Sequence, residues 1–146
     1  MTIYFATDHA GFARKEVLLS YVRDVLGYTV VDCGAETFDE ADDYPEFIKR
    51  AGESVAKDPE NARAIILGGS GQGEAMVANR FPGVRATVYY GGPDEIITLS
   101  REHNNANILS LGARFVDDEE AMRVVSLWLS TPFSGEERHM RRIAQF

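Results

Sequence analysis

The segment Gly68–Gly73 has the residue types of a site that binds an anion. It follows the apolar run Ala64–Leu67 and precedes the helix-like run Ala75–Arg80, so the pattern predicts a strand, a glycine-rich turn and a helix. The backbone N–H groups of such a turn, together with the positive end of the helix, can hold a phosphate or an oxyanion formed during a reaction. A carboxylate, Glu74, comes directly after the turn.

The carboxylate of Glu74 favours catalysis over simple phosphate binding. A phosphate cradle gains nothing from a negative charge beside it, whereas a site that removes a proton and then stabilises the resulting oxyanion uses both groups. The alternative is that Glu74 is a first-turn acid favoured by the helix dipole. The turn lacks the Gly-Lys-Ser/Thr ending of nucleoside-triphosphate loops, and a dinucleotide fingerprint belongs after the first strand rather than the third.

Asp8 and His9 stand at the first predicted strand-to-helix turn, and His103 stands at a predicted helix end. Asp8 could orient the His9 ring or contact ligand hydroxyls, but aspartate at such a turn is also a common N-cap. The imidazole of His103 can donate or accept a proton and so suits acid–base work, although a histidine at a helix C-terminus is often structural. Asn105, just beyond it, is a candidate for the left-handed residue that ends the helix.

A basic cluster near the C-terminus contrasts with the acidic composition of the chain. Arg138 and Arg142 are four residues apart and therefore share a helical face. Two guanidinium groups on one face can clamp a phosphate. The alternative is a solvated face on which the arginines pair with Glu136 and Glu137.

Composition restricts the classes of function. The length of 146 residues predicts one domain, 1–146. A net charge of −8 argues against general binding to nucleic acid or anionic membranes, and no apolar run approaches the ~20 residues of a membrane span.

The single cysteine, Cys33, fits a reducing cytoplasm. We expect it to be a small, semi-buried residue and not a nucleophile. No metal is expected, because His9, His103 and His139 show no paired ligand spacing.

Strand-like apolar runs alternate with helix-period segments along the chain. This alternation predicts a three-layer Rossmann-like (flavodoxin-like) α/β fold: a five-stranded parallel sheet, helices on both faces and a C-terminal helix. The predicted strands are Thr2–Ala6, Tyr28–Val31, Ala64–Leu67, a segment within Gly83–Tyr89, and Ile108–Ser110. The predicted helices are Gly11–Leu26, Pro45 to about Ala56, the run after the glycine turn, Pro93–Asn104, Glu119–Leu129 and Gly135–Ala144. The strands are short and weakly alternating, as expected when both faces are buried.

Ligands of such sheets bind beyond the carboxyl ends of the strands. Asp8 and His9 follow the first predicted strand, the glycine turn follows the third, and Arg114 follows the fifth. We therefore expect these groups to meet at one edge of the sheet.

Taken together, these segments resemble the ribose-5-phosphate isomerase type B family, which includes the galactose-6-phosphate isomerase subunits. The resemblance covers nearly the whole chain. Each motif alone is weak, but their common order and spacing are specific. The matching segments are Asp8-His9-Ala10-Gly11, Asp43-Tyr44-Pro45, Gly69-Ser70-Gly71-Gln72-Gly73, Ala78-Asn79-Arg80, Arg101-Glu102-His103-Asn104-Asn105, Leu111-Gly112-Ala113-Arg114 and Arg138-His139.

The resemblance implies interconversion of ribose 5-phosphate and ribulose 5-phosphate through a cis-enediolate, without a metal or organic cofactor. Many members carry a cysteine just before the glycine turn as the catalytic base. This chain has Gly68 there and resembles instead the branch in which a glutamate after the turn, here Glu74, is the base. By the same resemblance His103 opens the furanose ring with help from Asp8, and Ser70 and the backbone N–H groups of the turn hold the enediolate oxygen.

The resemblance also implies the substrate contacts and the assembly. The implied contacts are Tyr44 and Asn104 to sugar hydroxyls, His9, Arg114, Arg138 and Arg142 to the phosphate, and Gly69, Gly71, Gln72 and Gly73 in the turn. The implied assembly is a homodimer, with a tetramer left open, in which the C-terminal arginines reach the partner's site. Because Tyr90–Asp94 departs from the family pattern, a six-carbon substrate such as allose 6-phosphate or galactose 6-phosphate is an alternative. A non-catalytic sugar-phosphate-binding module is another.

Overall fold

The computed structural model describes every residue from Met1 to Phe146. At its centre is one sheet in which all strand pairs are parallel. In chain order the strands are β1 (Thr2–Thr7), β2 (Thr29–Asp32), β3 (Ala62–Gly68), β4 (Ala86–Tyr89) and β5 (Ile108–Gly112). All five predicted strands are therefore present, and most of their ends differ from the prediction by only one or two residues.

Helices connect the strands and cover both faces of the sheet. They are α1 (Phe12–Ser20), α2 (Tyr44–Lys57), α3 (Gln72–Ala78), α4 (Asp94–Glu102), α5 (Asp118–Ser130) and α6 (Glu137–Ile143). The predicted helix Gly11–Leu26 is a composite, since α1 is preceded by the 3-10 turn His9–Gly11 and followed by the π-helical turn Tyr21–Val25. None of the helices combines the length and the apolar character needed to cross a membrane.

The strands are arranged across the sheet in the order β2-β1-β3-β5-β4. This arrangement confirms the predicted three-layer α/β fold. The flavodoxin order is 2-1-3-4-5, so the last two strands have exchanged places relative to it. The strand order reverses between β1 and β3, because β2 lies on one side of β1 and the chain then returns to the other. In open parallel sheets, ligands bind in the crevice at such a switch point.

Two apolar layers hold the helices on the sheet. Successive side chains of β3 point to opposite faces, as the period of a strand requires. Ile65 and Leu67 lie in the cluster that includes Trp128 of α5, whereas Ile66 lies in the cluster that includes Ile48 of α2. The sheet is therefore covered on both sides, and only the ends of its strands are available for a ligand.

The expectation that every strand is buried on both faces is wrong for the edge of the sheet. All five residues of β5 are buried, and so are six of the seven in β3. In β2, by contrast, three of the four residues are exposed. β2 has a neighbour on one side only, so Val31 is 41 % exposed despite its apolar side chain.

Candidate active site

A cleft of about 470 Å³ opens where β1, β3 and β5 end. Its lining consists of Asp8, His9, Ala10, Tyr44, Gly69, Ser70, Gly73, Glu74, Arg114 and Phe115. Eight of these ten are predicted site residues; Ala10 and Phe115 are the two additions. The cleft therefore lies at the edge of the sheet where the sequence placed it.

The side chain of Asp8 caps the first helical turn. Asp8 Oδ1 accepts a hydrogen bond of 3.0 Å from the backbone N–H of Ala10, as an N-cap does. Its other oxygen, Oδ2, lies 4.0 Å from Nδ1 of His9. The capping interpretation of Asp8 is thus confirmed, and the cap leaves the second carboxylate oxygen at the cleft.

The glycine turn presents unpaired backbone donors to the cleft. The N–H groups of Ser70, Gly71 and Gly73 make no hydrogen bond within the chain. Gly71 has the left-handed φ of 77°, and its carbonyl accepts a 2.5 Å hydrogen bond from the Ser110 hydroxyl of β5. The turn is therefore fixed from below while its N–H groups stay available to an anion.

The carboxylate of Glu74 is held beside this turn in a buried position. Glu74 is only 4 % exposed. Burial raises the pKa of its carboxyl above the usual value, and the nearby negative charge of Asp8 raises that pKa further. A weakly solvated carboxylate with a raised pKa is a stronger base than an exposed one.

Gly68 leaves the space that this carboxylate fills. A Cβ atom placed on Gly68 would lie 1.8 Å from Oε1 of Glu74 and 2.0 Å from its Cδ. A side chain at position 68 and the Glu74 carboxylate therefore exclude each other in this conformation.

Other predicted residues complete the rim of the cleft. The Tyr44 hydroxyl lies over Gly73, 2.5 Å from where a Cβ would be, and the Arg114 guanidinium packs over Gly69. Arg114 makes no ion pair within the chain, so its charge is available to a ligand. Gln72 lines the adjoining groove instead.

Four predicted residues, His103, Asn104, Arg138 and Arg142, lie away from both the cleft and the glycine turn. His103 and Asn104 precede β5, at the amino edge of the sheet, whereas the cleft is at the carboxyl edge. The length of β5, roughly 13 Å at about 3.3 Å per residue, separates the two edges. Asn104 lines a different groove, together with Phe146. Within one subunit, His103 is therefore too far away to act on a ligand beside Glu74.

These remote residues form a group of their own. The His103 ring stacks on His139 of α6, with the ring centroids 4.1 Å apart and the planes at 16°. Arg138 pairs with Glu136 at 2.8 Å, so the solvated-face alternative applies to this arginine in the single chain. Asn105, with φ of 46°, is the predicted left-handed residue after the helix.

Asp42 is a further polar residue beside the cleft that the sequence did not predict. Its Oδ1 lies 2.7 Å from Nδ1 of His9 and accepts a second hydrogen bond of 3.0 Å from the His9 backbone N–H. The only signal in the sequence is the acidic pair Asp42-Asp43 before Tyr44-Pro45, and such a pair is also common in solvated loops.

Asp8, His9 and Asp42 each offer one atom that could bind a metal ion, and these three atoms lie within 4.8 Å of one another. The N–H groups of His9 and Ala10 already engage these carboxylates, which accounts for the cluster without an ion.

Comparisons with known proteins show the family of the chain. The family model described as Ribose/Galactose Isomerase matches residues 3–146. The ribose-5-phosphate isomerase B of Mycolicibacterium paratuberculosis is 39% identical over 143 residues, which cover 98% of this chain and 87% of that protein. The Escherichia coli protein of the same name is 33% identical over 97% of this chain and 91% of its own length.

Solved structures show the same similarity. Ribose-5-phosphate isomerase B from Mycoplasma genitalium, determined with bound ribulose-5-phosphate, gives a TM-score of 0.93 at 35% identity and covers 99% of this chain and 92% of that one. The type B ribose 5-phosphate isomerase from Trypanosoma cruzi gives a TM-score of 0.90 at 38% identity, with coverages of 99% and 95%. The fold is thus that of an isomerase. The chain belongs to the ribose/galactose isomerase family.

Proposed function

We propose that this chain interconverts ribose 5-phosphate and ribulose 5-phosphate, with Glu74 as the base. The observation that carries the proposal is the buried Glu74 carboxylate beside the unpaired N–H groups of the glycine turn. Two relatives named for this reaction are 39% and 33% identical to the chain, and a similar structure holds ribulose-5-phosphate. The substrate assignment rests on these similarities, and the assignment of the base rests on the geometry.

The chemical difficulty is the removal of a proton from carbon. The C2–H bond of the open-chain aldose breaks, the proton moves to Glu74, the electron pair forms the C1=C2 double bond, and the carbonyl electrons move to O1, which gives the cis-enediolate. A proton passes from O2 to O1, Glu74 returns its proton to C1, and C2 becomes the carbonyl carbon of the ketose. The N–H groups of Ser70, Gly71 and Gly73, with the Ser70 hydroxyl, stabilise the negative oxygen, and one such donor is worth about 3–4 kcal/mol.

The remaining roles require a second copy of the chain. His103 is proposed to open the furanose ring, and Asn104 to bind a sugar hydroxyl, but both lie at the amino edge of the sheet. A homodimer with a two-fold axis would bring the amino edge of each subunit to the cleft of the other. Exposed apolar side chains near the cleft, Tyr90 (52 %) and Phe115 (63 %), support a contact surface there.

The phosphate is proposed to bind where the positive groups converge. His9 and Arg114 line the cleft in this chain. Arg138 and Arg142 would come from the partner together with His103. Asp8 and Tyr44 would contact the sugar hydroxyls, since both polar groups face the cleft. We further propose that residues 1–146 act as a single catalytic domain in the cytoplasm.

A six-carbon sugar phosphate is the second candidate substrate. The family model covers galactose as well as ribose isomerases. The segment Tyr90–Asp94 reaches the rim, where Tyr90 packs against Phe115 with ring centroids 6.1 Å apart. Phe115 of this pair lines the cleft, so the segment Tyr90–Asp94 contacts the wall of the substrate site proposed here.

The test is turnover of five- and six-carbon aldose phosphates by the wild-type protein. The proposal predicts conversion of ribose 5-phosphate, with kcat/KM higher than for allose 6-phosphate and galactose 6-phosphate. The Glu74→Gln variant is the matched control, because it keeps the shape of the side chain and removes the base. If the protein converts a six-carbon phosphate but not ribose 5-phosphate, the six-carbon sugar phosphate is the substrate. No turnover of any of them would contradict it.

A further inference from the structure

Asp42 makes a two-point contact with His9 that none of the roles above uses. Asp42 lies in the loop between β2 and α2, and its side chain is 10 % exposed. One of its oxygens, Oδ1, accepts hydrogen bonds from both the backbone N–H and the ring Nδ1–H of His9, at 3.0 and 2.7 Å. A carboxylate only accepts, so Nδ1 carries the proton and Nε2 is the ring atom left for a ligand.

The fold itself holds the Asp42 loop in place. The fully buried Lys15 donates to the carbonyl of Ala35 at 2.7 Å and to Asp32 at 2.6 Å. The Ala35 N–H in turn donates to the carbonyl of Thr7 in β1. Further along the loop, the Phe38 ring meets the His9 ring edge-on, with centroids 6.5 Å apart. His9 is therefore enclosed by one loop that presents both an aromatic ring and a carboxylate.

No cation competes for the charge of Asp42. Its second oxygen, Oδ2, is buried and has no hydrogen-bond partner, and its only ion-pair partner is His9. A buried carboxylate with one partner acts strongly on that partner, because water does not screen the interaction. The other charged groups that face His9 are Asp8, which adds to the effect, and Arg114, which opposes it.

We propose that Asp42 is a positioning residue for phosphate binding: it holds the His9 ring through Nδ1, directs Nε2 to the cleft and favours the doubly protonated ring. The inference rests on the proposed function, in which His9 binds the phosphate of the sugar. An imidazolium donates a charge-assisted hydrogen bond to a phosphate oxygen, which a neutral ring does more weakly. In agreement with this role, the hydrogen bond to Asp42 is the main cause that raises the pKa of His9 above 6.5.

The test compares Asp42→Asn with Glu40→Gln. The asparagine oxygen still accepts both hydrogen bonds from His9 but carries no charge. Glu40 is an exposed residue of the same loop, so its replacement by glutamine removes the same charge without touching His9. Only three histidines are present, so NMR can follow the titration of each ring nitrogen, with and without inorganic phosphate.

We expect the midpoint of the His9 titration to move to lower pH in Asp42→Asn and to stay unchanged in Glu40→Gln. Between the two midpoints, where only the wild-type ring is doubly protonated, the KM for ribose 5-phosphate and the inhibition constant of inorganic phosphate should be about tenfold higher in Asp42→Asn. Below the midpoint of the variant both rings are doubly protonated, so the two proteins should behave alike. Asp42→Asn should change KM and leave kcat nearly unchanged. In a protein that already carries His9→Gln, adding Asp42→Asn should not raise KM any further.

An unchanged His9 midpoint in Asp42→Asn, or an equal rise of KM in Glu40→Gln, would overturn the inference. A further effect of Asp42→Asn in the His9→Gln background would also overturn it. The NMR titration needs no catalysis, so it separates this inference from the proposed function. If the wild type fails to isomerise ribose 5-phosphate, the His9 midpoint and the binding of inorganic phosphate still decide the role of Asp42.

Discussion

At the scale of single residues, the site depends on which side chain occupies the space above Gly68. The carboxylate of Glu74 fills it, and no Cβ fits there. The glycine at position 68 therefore leaves the space that the carboxylate fills, and a larger residue could stand there only if the Glu74 side chain changed its conformation.

Gly68→Ala should displace the Glu74 carboxylate. The added methyl group overlaps it, so we expect a lower kcat and a loss of stability on the order of 1–3 kcal/mol. Adding Glu74→Ala removes the overlap and should restore the stability but not the activity. Denaturant unfolding and steady-state kinetics of the single and double variants check both effects. Full activity in Gly68→Ala would show that the carboxylate does not need this position.

The pH dependence of kcat should reveal Glu74. The base must be deprotonated, so kcat falls as the pH drops through the pKa of Glu74. Burial and Asp8 both raise that pKa above the ordinary 4.5, so the acidic limb should lie above the range of an exposed glutamate. Kinetics with saturating substrate, across a series of buffers, measure this limb. A kcat that stays level down to pH values below 4.5 would contradict the assignment.

At the scale of elements, strand β5 supports the glycine turn. The Ser110 hydroxyl is fully buried and reaches the Gly71 carbonyl at 2.5 Å, which joins β5 to the turn after β3. The arrangement depends on β5 lying next to β3 rather than at the sheet edge.

Ser110→Ala should therefore loosen the turn. The Gly71 carbonyl loses one of its two donors and keeps the N–H of Ala75. The loss of this one buried hydrogen bond costs about 0.5–1.5 kcal/mol of stability. Catalysis should weaken with it, because the neighbouring N–H groups lose their fixed direction. Ser130→Ala is the matched control, since that hydroxyl is exposed, and its effect should stay within about 0.5 kcal/mol. Equal unfolding midpoints for the two variants would show that β5 does not brace the turn.

The elements themselves were predictable because periodicity is local. Apolar runs alternating with helical segments gave the five strands, and the carboxyl-end rule placed Asp8, the glycine turn and Arg114 at one edge. The order of β4 and β5 was not predictable, since it depends on which strand packs beside β3 after the chain has folded. Asp42 was missed for a related reason: its contact with His9 spans 33 residues, and nothing local distinguishes it from Asp43.

At the scale of the whole molecule, the predicted site residues divide into two groups at opposite edges of the sheet. Asp8, His9 and Glu74 line the cleft, whereas His103 and Arg142 belong to the amino edge and α6. The family resemblance implies that only the arginines reach the partner's site, but the ring-opening role proposed for His103 would need His103 to reach it as well. A two-fold dimer is the simplest assembly that unites the groups.

Mixing two inactive variants tests this assembly. Arg142→Ala and Glu74→Gln subunits, each inactive alone, should form mixed dimers with one intact site each. Random exchange should then recover roughly a quarter of the wild-type activity. Native mass spectrometry of tagged subunits confirms that the mixed dimers exist. If mixed dimers form without any recovered activity, the shared site is wrong.

One experiment tests both Glu74 as the base and ribose 5-phosphate as the substrate. NMR in deuterium oxide measures the loss of the C2 proton of ribose 5-phosphate with the wild type and with Glu74→Gln. We predict that the wild type forms ribulose 5-phosphate and removes the C2 proton. In Glu74→Gln both rates should fall roughly a hundred- to ten-thousand-fold. Isomerisation at an undiminished rate in the variant would contradict Glu74 as the base, and no reaction of the wild type would contradict ribose 5-phosphate as the substrate.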